Sequence, residues 1–165
     1  MQRLIPAALH RALYRAAHRA RRWFRRTFRL PIFGVNAVLR DTQGRVLLVR
    51  HSYGPTHWTL PGGGHGRKED PAQAVQRELG EELSLAIAEL ELVETFQEVL
   101  SGAPHSSSLF AGIAVGEPRP DGREVIAARF FARTDLPQPL PGPIQQRLDL
   151  WFGLAASREG HSSDS

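Results

Sequence analysis

The chain has no cysteine among its 165 residues. That excludes disulfide staples and thiolate metal ligands, so any metal must be held by oxygen or nitrogen. It also fits a reducing compartment, and a cytoplasmic location is the expectation. No apolar run approaches the ~18 residues that span a bilayer. No internal repeat is visible. The first thirty residues contain no acid at all, yet hold nine arginines: Arg3, Arg11, Arg15, Arg19, Arg21, Arg22, Arg25, Arg26 and Arg29. Arginine recurs too often there for the uninterrupted apolar core of a secretory signal.

That asymmetry explains the overall charge. The net +4 is the sum of a strongly basic leader and a mildly acidic remainder, in which 12 basic residues face 17 acids. The high isoelectric point belongs to the leader, and no specific nucleic-acid partner is expected for the domain. Within residues 4–28, Leu9, Leu13, Ala16, Ala17, Ala20 and Phe24 follow helical spacing, bounded by Pro6 and Pro31. The spacing predicts a basic amphipathic helix over residues 1–30. Three roles compete for it: packing on the domain, peripheral contact with an anionic membrane surface, and contact with RNA or a targeting receptor. A length near 130 residues for the remainder suffices for one core, so the expected division is a leader at 1–30, a domain at 31–155 and a disordered tail at 156–165.

Strands are predicted at 32–40 and 45–50, joined by the turn DTQG. A short strand at Trp58–Leu60 runs into a glycine loop. One helix spans 71–83, and one or two strands span 85–100. Residues 101–107 read as a polar loop. Further strands follow at 108–115 and 125–132, then a helix at 144–154. Strands between helices argue for a layered α/β fold.

The stretch LPGGGHGRKEDPAQAVQRELGEELSL, residues 60–85, carries the chemistry. Asp70 suits a helix cap and Pro71 the first turn. On that helix Glu82 lies about 40° from Glu78, and Glu81 about 60° the other way. Ala72, Val75, Leu79 and Leu83 form the adjacent apolar face. Like charges so spaced cost roughly 0.2–0.5 kcal/mol a pair. Their place near the helix C-terminus adds a dipole penalty of up to ~1 kcal/mol, and Gly80 costs about 1 kcal/mol relative to alanine. A solvated acidic face is the plain reading. Gly62, Gly63, Gly64 and Gly66 favour another, because they let backbone approach the acids closely. Hard cations take carboxylate and carbonyl oxygens.

The same residues resemble the Nudix box, written G-x5-E-x7-R-E-U-x-E-E-x-G-U with U aliphatic. Gly63, Glu69, Arg77, Glu78, Leu79, Glu81, Glu82 and Leu85 stand in register. Ser84 replaces the second glycine, which predicts an altered turn after the helix. Lys68 sits where many members carry glycine. The resemblance, over residues 32–155, implies an α/β/α sandwich with a mixed sheet. It implies a Mg²⁺-dependent hydrolase, with Mn²⁺ as substitute, acting on nucleoside diphosphates linked to a group X. It makes Glu78, Glu81, Glu82 and the Gly63 carbonyl metal ligands, and pairs Arg77 with Glu69. The general base is a box glutamate, Glu98, Glu94 or Glu124. Gly62, Gly64, His51 and Tyr53 are candidate substrate contacts, and Trp58 is a stacking or core residue. His105 is a candidate phosphate contact. The alternative is a binding or regulatory module without turnover. Many relatives form homodimers, though nothing in the sequence requires it.

Overall fold

The computed structural model describes residues 31–53, 56–100 and 102–162. The predicted leader helix lies outside them.

Six strands form one mixed sheet. They are β1 (Ile32–Arg40), β2 (Val46–His51), β3 (Gly62–Gly64), β4 (Ala86–Leu100), β5 (Ala103–Val115) and β6 (Val125–Phe131). The order is β4-β5-β1-β2-β6, with β3 paired to β1. β1 runs parallel to β5 over its whole length, while the other pairs are antiparallel. Helix α1 (Pro71–Leu83) covers one face and helix α2 (Gly142–Ser162) the other. This is the expected α/β/α sandwich.

The alternation of buried residues in the central strands explains the layers. Val35, Ala37 and Leu39 of β1 join Val75, Leu79 and Leu83 of α1 in one core. Val38 of β1 joins Leu148, Trp151 and Phe152 of α2 in the other. Trp58 belongs to this second core, edge-on to Phe131 with ring centroids 5.0 Å apart.

Four local readings are corrected. The predicted hairpin of β1 and β2 opens after the pair Arg40↔Val46. The start of β1 instead pairs with β3, Asn36↔Gly62 to Gly34↔Gly64. The glycines expected to form a loop are therefore a short strand, while Thr59 makes only an isolated bridge to Val49. Residues 103–107, expected as loop, are the first part of β5. Their polar side chains pair across the sheet: Ser107 Oγ donates to Asn36 Oδ1 at 3.3 Å and Gln97 Nε2 to Ser106 Oγ at 3.1 Å. Finally, α2 runs to Ser162, through most of the segment expected to be a disordered tail.

The turn after α1 keeps its shape despite Ser84. This residue adopts φ 52°, ψ 37°, the left-handed conformation for which glycine is favoured. The Ser84 N–H donates to the Gly80 carbonyl and the Leu85 N–H to that of Leu79. The altered turn expected from the missing glycine does not occur; the serine is held in a costly conformation instead. Ser84→Gly should therefore stabilise the protein by about 1 kcal/mol, read as a rise of roughly 2–4 °C in melting temperature. An unchanged or lower melting temperature would contradict the strain.

Candidate active site

α1 starts at Asp70, whose Oδ1 accepts from the Ala72 N–H at 3.3 Å, with Pro71 in the first turn. Once the apolar face is buried, Glu78 and Glu82 cannot point to bulk water. Glu82 is 6% exposed, and among the described residues its carboxyl makes no hydrogen bond or ion pair. Burial, then the nearby charges of Glu78, Glu124, Asp121 and Glu81, push its pKa up to about 8. Burial also raises Glu78, against the opposing pull of Arg77. Glu81 stands at the exposed rim.

β3 forms the facing wall. A Cβ at Gly63 would fall 2.5 Å from the Glu78 carboxyl carbon, so only glycine lets this backbone lie against the acid. Arg77 ties the segment between them. Its Nε donates to Glu69 Oε1 at 2.9 Å and its Nη2 to Glu69 Oε2 at 3.3 Å, a fork geometry suited to arginine. The same guanidinium reaches Glu78 Oε1 at 3.0 Å and Glu81 Oε2 at 3.5 Å. Glu69 also accepts from the Gly66 N–H, so the pair staples the loop to the helix. Its hydrogen bond from Arg77, then that from the Gly66 amide, holds the Glu69 carboxyl below its ordinary range.

Glu124 completes the acidic wall from the loop before β6. That loop docks on the end of α1: the Arg119 N–H donates to the Leu83 carbonyl and the Asp121 N–H to that of Glu82. These bonds satisfy carbonyls that the helix terminus leaves open. The Asp121 carboxylate accepts the N–H groups of Arg123, Glu124 and Val125, which fixes the backbone carrying Glu124. Sequence reasoning missed Asp121; its only local signal is the turn-forming pair Asp121-Gly122.

Gly63, Arg77, Glu78, Glu81, Glu82 and Glu124 line a cleft of about 760 Å³ together with Tyr53, Gly64, His65, Arg67 and His105. Tyr53 thus reaches the cleft, while His51 lies behind it, with ring centroids 5.2 Å apart. Gly62 lies at the start of β3, paired with Asn36. Glu98 is drawn away from the acids. It lies 2.9 Å from Arg147 Nη2 of α2 and 3.3 Å from His105 Nδ1. Glu94 accepts the N–H of Thr95 and does not line the cleft.

The donors gathered on α1 and β3 are all hard oxygens, suited to a cation of the magnesium type. Among the described residues no three His, Cys, Asp or Glu side chains close into a ligand cluster. Magnesium sites commonly use one or two carboxylates and keep several waters, so an open arrangement is consistent with that ion.

The family model for the NUDIX domain matches residues 30–151. A MutT NUDIX hydrolase from Burkholderia pseudomallei is 30% identical, with a TM-score of 0.66, and the match covers 73% of this chain and 98% of that one. The NUDIX domain of Shewanella oneidensis NrtR, complexed with ADP ribose, shares the fold at 21% identity and TM-score 0.68, over 78% of this chain and 91% of that one. An RNA pyrophosphohydrolase from Saccharophagus degradans is 40% identical over 63 residues, 38% of this chain and 37% of that protein. The chain therefore matches little more than a third of the length of this curated relative. The domain match and the box glutamates agree: this chain belongs to the Nudix family.

Proposed function

We propose that the protein is a pyrophosphohydrolase that splits the diphosphate bond of a nucleotide-type substrate, with Mg²⁺, or Mn²⁺ in its place, as cofactor. The observation that supports this most is the unpartnered, buried Glu82 beside Glu78, with the Gly63 backbone pressed against the second acid. Such a cluster is costly alone and favourable around a cation. The ADP ribose bound by the Shewanella relative and the name of the Saccharophagus relative support a nucleotide-type diphosphate.

Glu78 and Glu82 would hold the ion, with Glu81 at the rim and the Gly63 carbonyl as a further oxygen. Bound there, the ion would neutralise phosphate oxygens and acidify a bound water. Arg77 and Glu69 keep the loop and helix at fixed separation. Glu124 faces Glu78 and Glu82 on a loop fixed by Asp121, and takes the proton from the attacking water. Tyr53 offers a ring at the cleft wall for a base. Glu98 is the weaker candidate base, since Arg147 and His105 already engage it.

The test is a panel of dinucleotides, nucleotide sugars, 5′-triphosphorylated oligonucleotides and nucleoside triphosphates with Mg²⁺ or Mn²⁺, products identified by mass. Metal-dependent cleavage between phosphates is expected; no cleavage across the panel overturns the proposal. The leader is proposed to add peripheral contact with anionic lipid. Full-length protein should co-sediment with vesicles containing phosphatidylglycerol, and residues 31–165 should not. Equal binding by both would end that reading.

A further inference from the structure

The turn between β3 and α1 is tied down on both flanks. On one side the His65 N–H donates to the Phe33 carbonyl of β1 at 3.1 Å. On the other, the Glu69 N–H donates to the Gly66 carbonyl at 3.0 Å and the Gly66 N–H to Glu69 Oε2 at 3.2 Å. The Glu69 carboxylate is in turn gripped by Arg77 of α1. Arg67 and Lys68 are the central residues of this turn, and both are exposed. Of the two, Arg67 lines the cleft and Lys68 does not.

The cleft has little positive charge to offer a polyanion. Glu78, Glu81, Glu82 and Glu124 make one wall acidic. Arg77 also lines it, but its donors are taken: Nε and Nη2 by Glu69, Nη1 by Glu78, with Glu81 at 3.5 Å. Among the described residues, Arg67 makes no hydrogen bond, ion pair or ring contact. An ion at Glu78 and Glu82 would neutralise the phosphate oxygens beside it. A phosphoryl group beyond its reach would face acids alone unless a second cation met it. Arginine keeps its charge across the working pH range, and its planar fork matches two phosphate oxygens.

We propose that Arg67 is a substrate-binding residue that holds a phosphoryl group beyond the reach of the ion. It thereby favours substrates with a phosphate outside the scissile diphosphate over those whose X is uncharged. This rests on the pyrophosphohydrolase reading and deepens it, since it assigns a contact on the turn and a preference in X. The ties at His65, Gly66 and Glu69 serve that contact. With the backbone fixed, binding has only the side chain left to order.

Lys68→Gln is the control, because it removes the same charge one residue away and outside the cleft. Both variants keep the nine leader arginines, so diffuse anion binding there cancels. Full-length protein with Mg²⁺ is titrated calorimetrically with methylenediphosphonate, a diphosphate that cannot be hydrolysed at its bridge. Arg67→Gln should weaken binding about tenfold, and Lys68→Gln should stay within about twofold of the wild type. Arg67→Lys, a point charge without the fork, should fall between them. In turnover, Arg67→Gln should raise KM about tenfold for a nucleoside triphosphate and under about threefold for a nucleotide sugar, with kcat within about threefold for both. An equal rise for both substrates overturns the preference. If the affinities separate as stated while the panel shows no hydrolysis, the anion contact stands and the enzymatic reading fails. If the two glutamine variants bind alike, or the wild type does not bind the probe, Arg67 is a solvated surface charge and the inference is overturned.

Discussion

Glu82→Gln should make the metal-free protein more stable while reducing hydrolysis by about 10²- to 10³-fold or more. The two effects have one cause. Burial and neighbouring acids raise the Glu82 carboxyl from an ordinary 4.5 to about 8. Between those values the native state keeps a proton that the unfolded chain has lost. Stability must then fall as pH rises through this window, and above pH 8 the cost is fully present. It amounts to roughly 2–4 kcal/mol at pH 8. Glutamine preserves the shape and carries no charge, so the variant should lose this slope. Denaturant unfolding at pH 5 and pH 8, with chelator, measures both proteins. Near pH 5 they should differ little; at pH 8 the variant should be the more stable. Added Mg²⁺ should stabilise the wild type by mass action on the folded state, and the variant much less. A wild type with no pH slope, and a variant no more stable than it at pH 8, would mean that Glu82 is well solvated. The acid cluster would then be an ordinary polar face.

The helix behind this prediction was readable because its signals are local. Asp70 and Pro71 mark its start, and its apolar residues recur with helical period. Counting angles along the chain already places Glu78, Glu81 and Glu82 side by side. What cannot be counted is how far each is buried. Glu82 is enclosed because the loop from residue 116 to 124 folds back onto the helix end, through backbone bonds from Arg119 and Asp121. Those bonds leave no mark in side-chain pattern, so Asp121 was missed and Glu124 was one candidate among several.

The first part of β5 was obscured for a related reason. Polar residues in a row suggest a loop when each is assumed to need water. In β5 they satisfy one another and their neighbours across the sheet instead: Ser107 with Asn36, Ser106 with Gln97, Ser108 with Thr95. Strand pairing over this stretch is a tertiary fact, set by the parallel partner β1. Ser84 shows the opposite case. Its position in the box was legible and its consequence was misjudged, because the two backbone bonds of the cap outweigh the cost of a left-handed serine.

The three glycines of β3 should separate fold from chemistry, one position at a time. Gly62 has φ 145°, and a Cβ there would lie 2.0 Å from the Val35 carbonyl oxygen and 2.8 Å from the Asn36 Cα. Both obstacles are backbone of the central strand and cannot swing aside. Gly62→Ala should cost about 3 kcal/mol or more, through backbone strain and forced separation of β1 and β3. At Gly63 the obstacle is the Glu78 carboxyl, with all three of its atoms within 2.9 Å of the added carbon. That is the end of a flexible side chain, so it moves, and the fold should lose only about 1 kcal/mol. The displaced carboxyl can no longer meet the cation, and turnover should drop about 10²-fold or further. At Gly64 the nearest atom is the Phe33 carbonyl oxygen at 3.7 Å, an ordinary contact, and alanine should change stability by less than about 0.5 kcal/mol. Melting curves and kcat/KM for the three alanine variants give the comparison. A Gly63→Ala protein that is as active as the wild type would show that the close approach of this backbone to Glu78 has no part in the reaction. Loss of folding in Gly63→Ala, matching Gly62→Ala, would show that the glycine serves the sheet and not the acid.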